Sequence, residues 1–353
     1  MKRVISGIQS SGRLHLGNYL GSITNFIKQQ DHHDLFIFVA DLHAITVDFD
    51  PKNIEQSRID IVTTYLASGL DPQKATIFMQ SDINEHAALG YTLMCHTAIG
   101  ELERMTQYKH KVATSLGRQD NNTVKIPTGL LTYPTLMAAD ILLYKPNFVP
   151  VGADQKQHIE LARDLAIRFN KKYGETFVVP EPLIAKVGSR IMDLADPTKK
   201  MSKSSQNHKG VIFLDDSLET IETKIKTAKT DSLNKITYDL ENQSSVANLI
   251  TIYSCSINDD LNDDLRKELF NKSSAISTAD IEKKYVDANY KVFKEDLAKV
   301  VINLIKKLQE RKLKFSNPEL LGKILLKGKE KAQAIARDTL RQVYDKIGFK
   351  QIK

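Results

Sequence analysis

The chain has 353 residues, of which 41% are hydrophobic and 26% are charged, the balance of a soluble globular protein. This composition excludes a disordered or collagen-like chain, and at roughly 150 residues per domain the length predicts about two domains. No apolar run approaches the ~18 residues of a membrane helix, and the N-terminus has no signal-peptide pattern. Two cysteines, Cys95 and Cys255, suggest neither a disulfide framework nor a metal site. We therefore expect a cytoplasmic protein without a structural metal.

Positive charge is concentrated towards the end of the chain. The net charge is +7, and residues 291–353 carry 17 Lys and Arg against 7 Asp and Glu. Such a basic segment favours a polyanionic partner, most simply a nucleic acid. A solvated, lysine-rich helical surface explains the same charge, so both interpretations stay open at this point.

Short apolar runs alternate with helical patterns in the first half of the chain. The predicted strands are Val4–Ile8, Leu35–Val39, Ala75–Gln80 and Phe148–Gly152. The predicted helices are Gly17–Gln30, Asn53–Ser68, Glu85–Tyr108, Leu130–Leu143 and Gln155–Tyr173. This alternation predicts an α/β fold with a doubly wound parallel sheet, whose ligands bind beyond the carboxyl ends of the strands.

The second half of the chain has a different pattern. Residues 113–127 are polar and turn-rich, which predicts a surface loop, and a second loop is predicted at 186–210. From Leu218 onward, apolar residues recur at helical spacing, as at Ile221 and Ile225. This periodicity predicts a C-terminal all-helical domain.

The first strand leads into a glycine-bearing turn and the start of a helix, over residues 6–21. Gly17 lets a ligand approach the backbone closely, and a helix N-terminus offers free N–H groups to a phosphate. His15 and Asn18 could add side-chain hydrogen bonds to a phosphate or a ribose. The pattern is neither a Walker A loop nor a dinucleotide fingerprint. A turn that only packs a helix on a sheet is the alternative.

A second chemical signal is the segment Lys200-Met201-Ser202-Lys203-Ser204, in a loop after Pro197. Lysine ammonium groups suit a triphosphate, and serine hydroxyls add hydrogen bonds. Such groups stabilise the charge that builds on a departing pyrophosphate. Alone, the segment would be interpreted as an exposed linker. Together with the N-terminal turn it indicates a nucleotide site.

The two segments carry a resemblance to a known family. His15-Leu16-Gly17-Asn18 resembles the HIGH-type signature of class I aminoacyl-tRNA synthetases, and Lys200 to Ser204 match their KMSKS signature. Residues 100–107, 129–144 and 149–158 resemble the tryptophanyl-tRNA synthetase subgroup. The resemblance covers nearly the whole chain and is strongest up to about residue 205.

The resemblance implies a domain organisation and an activity. Residues 1–204 would form a Rossmann-like catalytic domain, with a helical insertion at about 85–130 and the KMSKS loop at 200–204. Residues 205–353 would form a helical anticodon-binding domain. The implied enzyme is a homodimer that activates L-tryptophan with ATP and Mg²⁺, releases pyrophosphate, and transfers the aminoacyl group to the 3′-terminal adenosine of tRNA(Trp).

The resemblance also assigns site residues. ATP-binding positions are matched by Gln9, Ser10, Ser11, Gly17, Asn18, Gly152, Ala153, Asp154, Ile191, Lys200, Met201, Ser202, Lys203 and Ser204. Catalytic positions at the phosphates are matched by His15, Asn18, Lys111, Lys200 and Lys203. The tryptophan pocket is matched by Asp140, His43, Tyr133, Met137, Val149, Val151 and Gln155. No general base is required, because the substrate carboxylate itself attacks the α-phosphorus.

Asp140 is the one position where elementary chemistry makes the same assignment. It stands in the apolar helical stretch Leu136 to Leu142, and a buried charge is unfavourable without a partner. The family carboxylate that it matches accepts the indole N–H of tryptophan, and such an acceptor rejects a side chain that leaves it unpaired. A structural carboxylate that holds another group is the alternative.

Several residues depart from the family pattern. Ser10 replaces the usual proline, Ala153 stands where a glutamate is common, Ser205 stands where an aspartate is common, and Ile5 stands where an aromatic residue is frequent.

Three other functions compete: a tyrosyl-tRNA synthetase, a small-molecule adenylyltransferase and a non-catalytic RNA-binding paralogue. A phenol pocket needs hydroxyl partners, an adenylyltransferase does not need the KMSKS loop together with a helical domain, and a paralogue would be expected to have lost Lys200, Lys203 or His15.

Overall fold

The computed structural model describes residues 1–46, 49–109, 112, 126–152, 155–183, 190–203 and 207–350. Five parallel strands form one sheet in the order β3-β2-β1-β4-β5. The strands are β1 (Arg3–Gln9), β2 (Asp34–Ala40), β3 (Ala75–Met79), β4 (Phe148–Pro150) and β5 (Glu181–Leu183). The parallel α/β fold and the four predicted strands, which correspond to β1–β4, are confirmed. The sequence patterns missed β5, because it is a three-residue edge strand with a central proline.

The strand order reverses between β1 and β4, which pair in parallel at Val4 and Phe148. In a sheet of this kind the crevice at the reversal point binds the ligand, outside the carboxyl ends of the strands. The turn after β1 and the segment after β4 both begin at this edge, so the sheet brings these two parts of the sequence together.

Helices cover both faces of the sheet. Those of the first half are α1 (Leu16–Asn18), α2 (Thr24–Gln29), α3 (Pro51–Ala67), α4 (Glu85–Met94), α5 (Ile99–Glu103), α6 (Thr128–Leu142) and α7 (Lys156–Tyr173). A π-helical segment, Tyr19–Ile23, joins α1 to α2. The continuous helix predicted at Glu85–Tyr108 is wrong. It breaks after Met94 because Ala98 is extended, and Glu101 accepts the Ala98 N–H and starts a new helix.

The second half is helical, as its periodicity predicts. Its helices are α8 (Leu218–Lys226), α9 (Ser244–Ile257), α10 (Asp263–Phe270), α11 (Thr278–Lys284), α12 (Tyr290–Lys314) and α13 (Pro318–Ile347). None of the helices in the described part of the chain is long and apolar enough to cross a membrane.

Two apolar cores flank the sheet, and each contains residues from both sides of the predicted boundary at residue 204. One core is continuous from β1 through α3 to α12. The other contains residues of α4, α6 and α7 and also Ala332, Ala336 and Val343 of the last helix. The helix α13 therefore returns to the first part of the chain and packs against β3 and α4, where Arg337 pairs with Glu85. The predicted division at 204/205 stays a prediction, with α13 lying on the sheet of the first part.

Gly328 sets how closely α13 approaches the sheet. A Cβ at Gly328 would lie 1.8 Å from the carbonyl oxygen of Ile77 in β3, so alanine there must push the helix off the strand. We expect Gly328→Ala to lower the free energy of unfolding by about 3 kcal/mol, the upper end of ordinary overpacking. Gly322→Ala, in the same helix with nothing near its Cβ, is expected to leave stability unchanged or raise it by about 0.5–1 kcal/mol. Urea unfolding measures both, and equal stabilities would contradict this packing.

Candidate active site

A cavity of about 300 Å³ opens at the carboxyl ends of β1 and β4. All seven residues predicted for the tryptophan pocket line this cavity: Asp140, His43, Tyr133, Met137, Val149, Val151 and Gln155. Three residues predicted for ATP, Gln9, Asn18 and Gly152, line it too. These positions span residues 9 to 155 of the sequence, and the two ends of this span meet because both strands end at the same edge of the sheet.

Asp140 lies on α6 at the floor of the cavity and is 1% exposed. Its Oδ2 atom lies 2.7 Å from Nε2 of His43. Its Oδ1 atom accepts a hydrogen bond from Nε2 of Gln80 at 2.7 Å and lies 2.6 Å from Nδ1 of His86. Burial by itself would raise the pKa of Asp140, but His43 and His86 outweigh burial and lower it to about 2. The carboxylate is therefore ionised at neutral pH.

Gln80 and His86 both contact Asp140, and neither is predicted from the sequence. Gln80 follows the last residue of β3, and His86 lies in the first turn of α4. Both positions lie at the carboxyl end of a predicted strand, where polar residues gather around ligands. That position beside a strand end is the signal by which both could have been found. Gln107 was also missed and lines the same cavity.

Tyr133 forms one wall of the cavity. Its hydroxyl group lies 2.8 Å from Nε2 of His158, and its ring meets that of His43 edge to face, with 6.1 Å between centroids. Burial raises the pKa of Tyr133 to about 12, so the hydroxyl stays protonated. Ile5, the position where the family often has an aromatic residue, lines the same cavity as a smaller aliphatic group.

A second cavity, of about 590 Å³, lies beyond the turn after β1. Ser10, Ser11 and Lys203 line it. Gln9 lines the first cavity and Ser10 the second, so the turn separates a small pocket from a larger one. The hydroxyl oxygen of Ser10 is buried and has no hydrogen-bond partner among the described residues.

His15 caps the N-terminus of α1. Its Nδ1 atom accepts the backbone N–H of Asn18 at 3.3 Å, and Oδ1 of Asn18 accepts the backbone N–H of His15 at 3.2 Å. Burial, with smaller contributions from Lys203 and Lys200, lowers the pKa of His15 to about 3. The ring is therefore neutral. Because Nδ1 is an acceptor, the proton is on Nε2, and that atom is a hydrogen-bond donor.

Gly17 keeps this region closely packed. A Cβ there would lie 3.0 Å from Nδ1 of His15 and 3.6 Å from Cβ of Ile191, so a larger residue would crowd the histidine ring. The second half of the chain holds the backbone of the first signature, because Leu16 N–H donates to the carbonyl of Ile212 at 2.8 Å.

The segment of the second signature is held by its backbone. Met201 N–H donates to the carbonyl of Ile191 at 2.9 Å, and Met192 forms an isolated bridge with Lys200. The side chains of Met201 and Ile191 are 1% and 2% exposed and belong to the apolar core. Any nucleotide contact of these two residues would therefore have to come from the backbone. The half-buried Ser202 is the next residue of the segment.

The side chain of Lys203 lies beside the segment that contains the first signature. Its Nζ lies 3.4 Å from the carbonyl oxygen of Gln9, and the side chain lines the larger cavity. Desolvation lowers the pKa of Lys203 to about 8, partly opposed by the charge of Asp60. His15, Lys203 and the β1–α1 turn thus meet at one place, although about 190 residues separate them in the sequence.

Some predicted positions lie outside the described residues: Lys111, Ala153, Asp154, Ser204 and Ser205, with most of the predicted loop at 113–127. Among the described residues, no group of three or more His, Cys, Asp or Glu side chains could hold a metal ion.

The family of the chain follows from comparison with known proteins. The family model described as tRNA synthetases class I (W and Y) matches residues 1–306. The chain therefore belongs to the class I tRNA synthetases of the tryptophan and tyrosine family, and it is an aminoacyl-tRNA synthetase.

Within that family the chain is similar to tryptophan-specific members. The tryptophan–tRNA ligase of Mycoplasma pneumoniae is 48% identical over 349 residues, which is 99% of this chain and 98% of that protein. The ligase of Ureaplasma parvum is 49% identical over 351 residues, or 99% and 100% of the two chains. The crystal structure of the Mycoplasma pneumoniae tryptophanyl-tRNA synthetase has a TM-score of 0.91 at 47% identity, covering 99% and 98%.

A second solved relative shows ligands in this fold. The tryptophanyl-tRNA synthetase of Campylobacter jejuni, complexed with ADP and tryptophan, has a TM-score of 0.75 at 33% identity and covers 98% of this chain and 99% of its own. A tyrosyl-tRNA synthetase of Archaeoglobus fulgidus, at 18% identity, shares the fold.

The pKa of Lys203 predicts a pH dependence. The ordinary value for lysine is 10.5, and burial lowers the pKa of Lys203 to about 8, so Lys203 is charged at neutral pH and loses its charge as the pH rises through about 8. We expect kcat/KM for ATP, measured by pyrophosphate exchange, to fall above about pH 8, because a neutral amine attracts a triphosphate less. Lys203→Arg should remove this decline, since arginine stays charged. A decline that persists unchanged in Lys203→Arg would contradict the assignment.

Proposed function

We propose that this chain activates L-tryptophan with ATP to tryptophanyl-adenylate and pyrophosphate, and then transfers the tryptophanyl group to the 3′-terminal adenosine of tRNA(Trp). The observation that carries the proposal is the buried, ionised carboxylate of Asp140 in a small, largely apolar cavity. Relatives that are 45–49% identical along the whole chain are tryptophan–tRNA ligases.

The smaller cavity takes the amino acid in this proposal. Asp140 accepts the indole N–H, and Met137, Val149 and Val151 contact the faces of the indole ring. His43 and the polar groups of Tyr133 and Gln155 complete the pocket, with the last two at the ammonium end. An indole fits because the lining of the cavity combines apolar side chains with placed polar groups, which is typical of small-molecule sites.

The larger cavity takes the nucleotide. Ser10 and Ser11 line this cavity, and Gln9, Gly17 and Asn18 belong to the same strand end and helix start. Gly152, Ala153, Asp154 and Ile191 are assigned to ATP by the family resemblance. The buried hydroxyl group of Ser10, which has no partner among the described residues, supports a polar ligand beside it. Lys200 to Ser204, with Lys111, contact the phosphates.

The reaction needs charge stabilisation and positioning. The tryptophan carboxylate attacks the α-phosphorus and pyrophosphate leaves, so negative charge builds on the departing oxygens. The ammonium of Lys203 and the Nε2–H of His15, both at the β1–α1 turn, suit this charge. A neutral His15 donates one hydrogen bond without taking up a proton. Mg²⁺ enters with the triphosphate, as part of the substrate.

We also propose tRNA(Trp), a second copy of the chain and the cytoplasm as the partners and location of this enzyme. The helices α12 and α13, which contain most of the basic residues of 291–353, offer Lys and Arg to the tRNA backbone. Phosphate contacts position an RNA without identifying its bases, so the anticodon-reading residues are not assigned.

Pyrophosphate exchange with tryptophan, tyrosine and phenylalanine offered separately tests the proposal. Exchange with tryptophan alone is the expected result. Exchange with tyrosine would contradict the assignment of the pocket to an indole ring but would leave the fold assignment unchanged. Because the chain contains no tryptophan, fluorescence of the bound amino acid reports binding without a protein background.

A further inference from the structure

The two oxygen atoms of Asp140 have different surroundings. Among the described residues, three side chains contact this carboxylate: Gln80 and His86 at Oδ1, and His43 at Oδ2. Each carboxylate oxygen offers about two lone-pair positions. Oδ1 is therefore filled, and Oδ2 keeps one position. His43 lines the cavity whereas Gln80 and His86 do not, so the remaining position is on the cavity side.

Gln80 ties the carboxylate to the segment that contains His43. Its side chain is fully buried, with Nε2 on Asp140 and Oε1 accepting the backbone N–H of Leu42 at 3.0 Å. Leu42 begins the 3₁₀ segment Leu42–Thr46, which contains His43. One amide thus fixes both the carboxylate and the neighbouring donor.

His86 is fixed from its far side. Its ring is fully buried, and its Nε2 lies 2.8 Å from the hydroxyl of Tyr144, which is also fully buried. Because the ionised Asp140 can only accept, Nδ1 of His86 donates to it. The Tyr144 hydroxyl is hydrogen-bonded to Nε2, the other nitrogen of the ring. A hydrogen bond at the second nitrogen sets the tautomer and the orientation of such a ring.

We propose that Gln80 and His86 are positioning residues that make the pocket specific for a ligand with a single N–H. They occupy Oδ1 completely and hold the carboxylate in one rotamer, so that its only open acceptor position faces the indole nitrogen. This inference rests on the proposed tryptophan activation. A ligand of the same shape without an N–H leaves a desolvated acceptor unpaired and is rejected.

Rigidity of the carboxylate is what makes the rejection strong. With Gln80 removed, Oδ1 has an open position and the carboxylate can turn about its terminal torsion, which is a soft rotation. The carboxylate can then leave the indole position and find other donors, so the absence of an N–H on the ligand matters less. Substitution of Gln80 is therefore expected to weaken the binding of tryptophan more than the binding of an analogue without the N–H.

The test compares tryptophan with its isostere in which sulfur replaces the indole N–H. We measure kcat/KM for both amino acids by pyrophosphate exchange in the wild type, Gln80→Met, Tyr144→Phe and a control. The wild type should prefer tryptophan by roughly 10- to 100-fold, the range of a charge-assisted hydrogen bond. Gln80→Met should lower this ratio at least about fivefold, and Tyr144→Phe about threefold.

Tyr65→Phe is the matched control. Tyr65 is fully buried, and its hydroxyl donates to the carbonyl of Phe38 in β2 at 3.4 Å, but it belongs to the core on the other face of the sheet. Loss of this hydroxyl should leave the preference ratio unchanged. General destabilisation of the fold would lower activity with both amino acids together and would not change their ratio.

The outcomes separate the inference from the proposed function. A wild type that does not activate tryptophan overturns the proposed function. A wild type that activates tryptophan but accepts the sulfur analogue equally well overturns the inference. Wild-type preference that is unchanged in Gln80→Met and Tyr144→Phe also overturns it. If Gln80→Met does not fold, the isosteric Tyr144→Phe decides alone, since it removes only one hydroxyl.

Discussion

Asp140→Asn is expected to lower kcat/KM for tryptophan in pyrophosphate exchange about 100-fold or more, mainly through KM, which corresponds to loss of a buried charge-assisted hydrogen bond. The amide has the volume of the carboxylate but carries no charge. Its NH₂ group also faces a donor, because His43 on one side and Gln80 and His86 on the other all point hydrogens at this position. KM for ATP should change little, since Asp140 does not line the larger cavity.

The pKa of Asp140 sets the pH behaviour of the wild type. Burial would raise this pKa, but His43 and His86 outweigh it and lower the value to about 2, below the ordinary 3.8. The folded protein therefore favours the ionised form, and this stabilisation is present above about pH 4 and is lost as the pH falls through about 2. Tryptophan affinity should show no step caused by Asp140 between about pH 5 and 8. A step in this range that is absent from Asp140→Asn would contradict the assignment.

Thr135→Val is the control on the same helix. Thr135 is 2% exposed, its hydroxyl donates to the carbonyl of Thr132 at 2.8 Å, and it does not line the cavity. The variant should keep the wild-type KM for tryptophan. If it raises KM as much as Asp140→Asn does, the effect of the asparagine variant comes from disturbance of α6 and not from the carboxylate.

Lys203→Met should lower the rate of tryptophanyl-adenylate formation in a single turnover by about 10²–10³, the usual effect of removing one donor from a developing anion. Methionine replaces the ammonium group and keeps the long aliphatic stem. Tryptophan binding, followed by fluorescence of the amino acid, should stay close to the wild-type value, because Lys203 lines the larger cavity and not the smaller one.

Lys199→Met is the matched control in the same segment. The side chain of Lys199 is 77% exposed and pairs with Asp196 at 2.8 Å, away from the cavities. The variant should form the adenylate at nearly the wild-type rate. Equal losses in Lys199→Met and Lys203→Met would mean that the net positive charge of the loop matters and the position of Lys203 does not.

Sequence patterns identified the buried strands and most long helices because each has a local cause. Continuous apolar runs such as Leu35–Val39 predict a buried parallel strand, and helical spacing identifies residues 155–173. Local patterns failed where a tertiary contact decides the structure. The break in the helix predicted at Glu85–Tyr108 has a local cap between Ala98 and Glu101, but Arg168 of α7 also holds it through Glu101 and the carbonyl of His96. The strand β5 exists only because β4 is beside it.

The candidate site divides in the same way. The sequence by itself determined the family, through His15 to Asn18 and Lys200 to Ser204, and it singled out Asp140 because a charge in an apolar helix needs a partner. Only the tertiary structure decided which partners Asp140 has. Gln80 follows β3, His86 lies in α4 and Tyr144 follows α6, and no local pattern connects them. The protonation of His15 and Lys203 was likewise decided by burial, because desolvation depends on the atoms that surround a group in space and not on its neighbours in sequence.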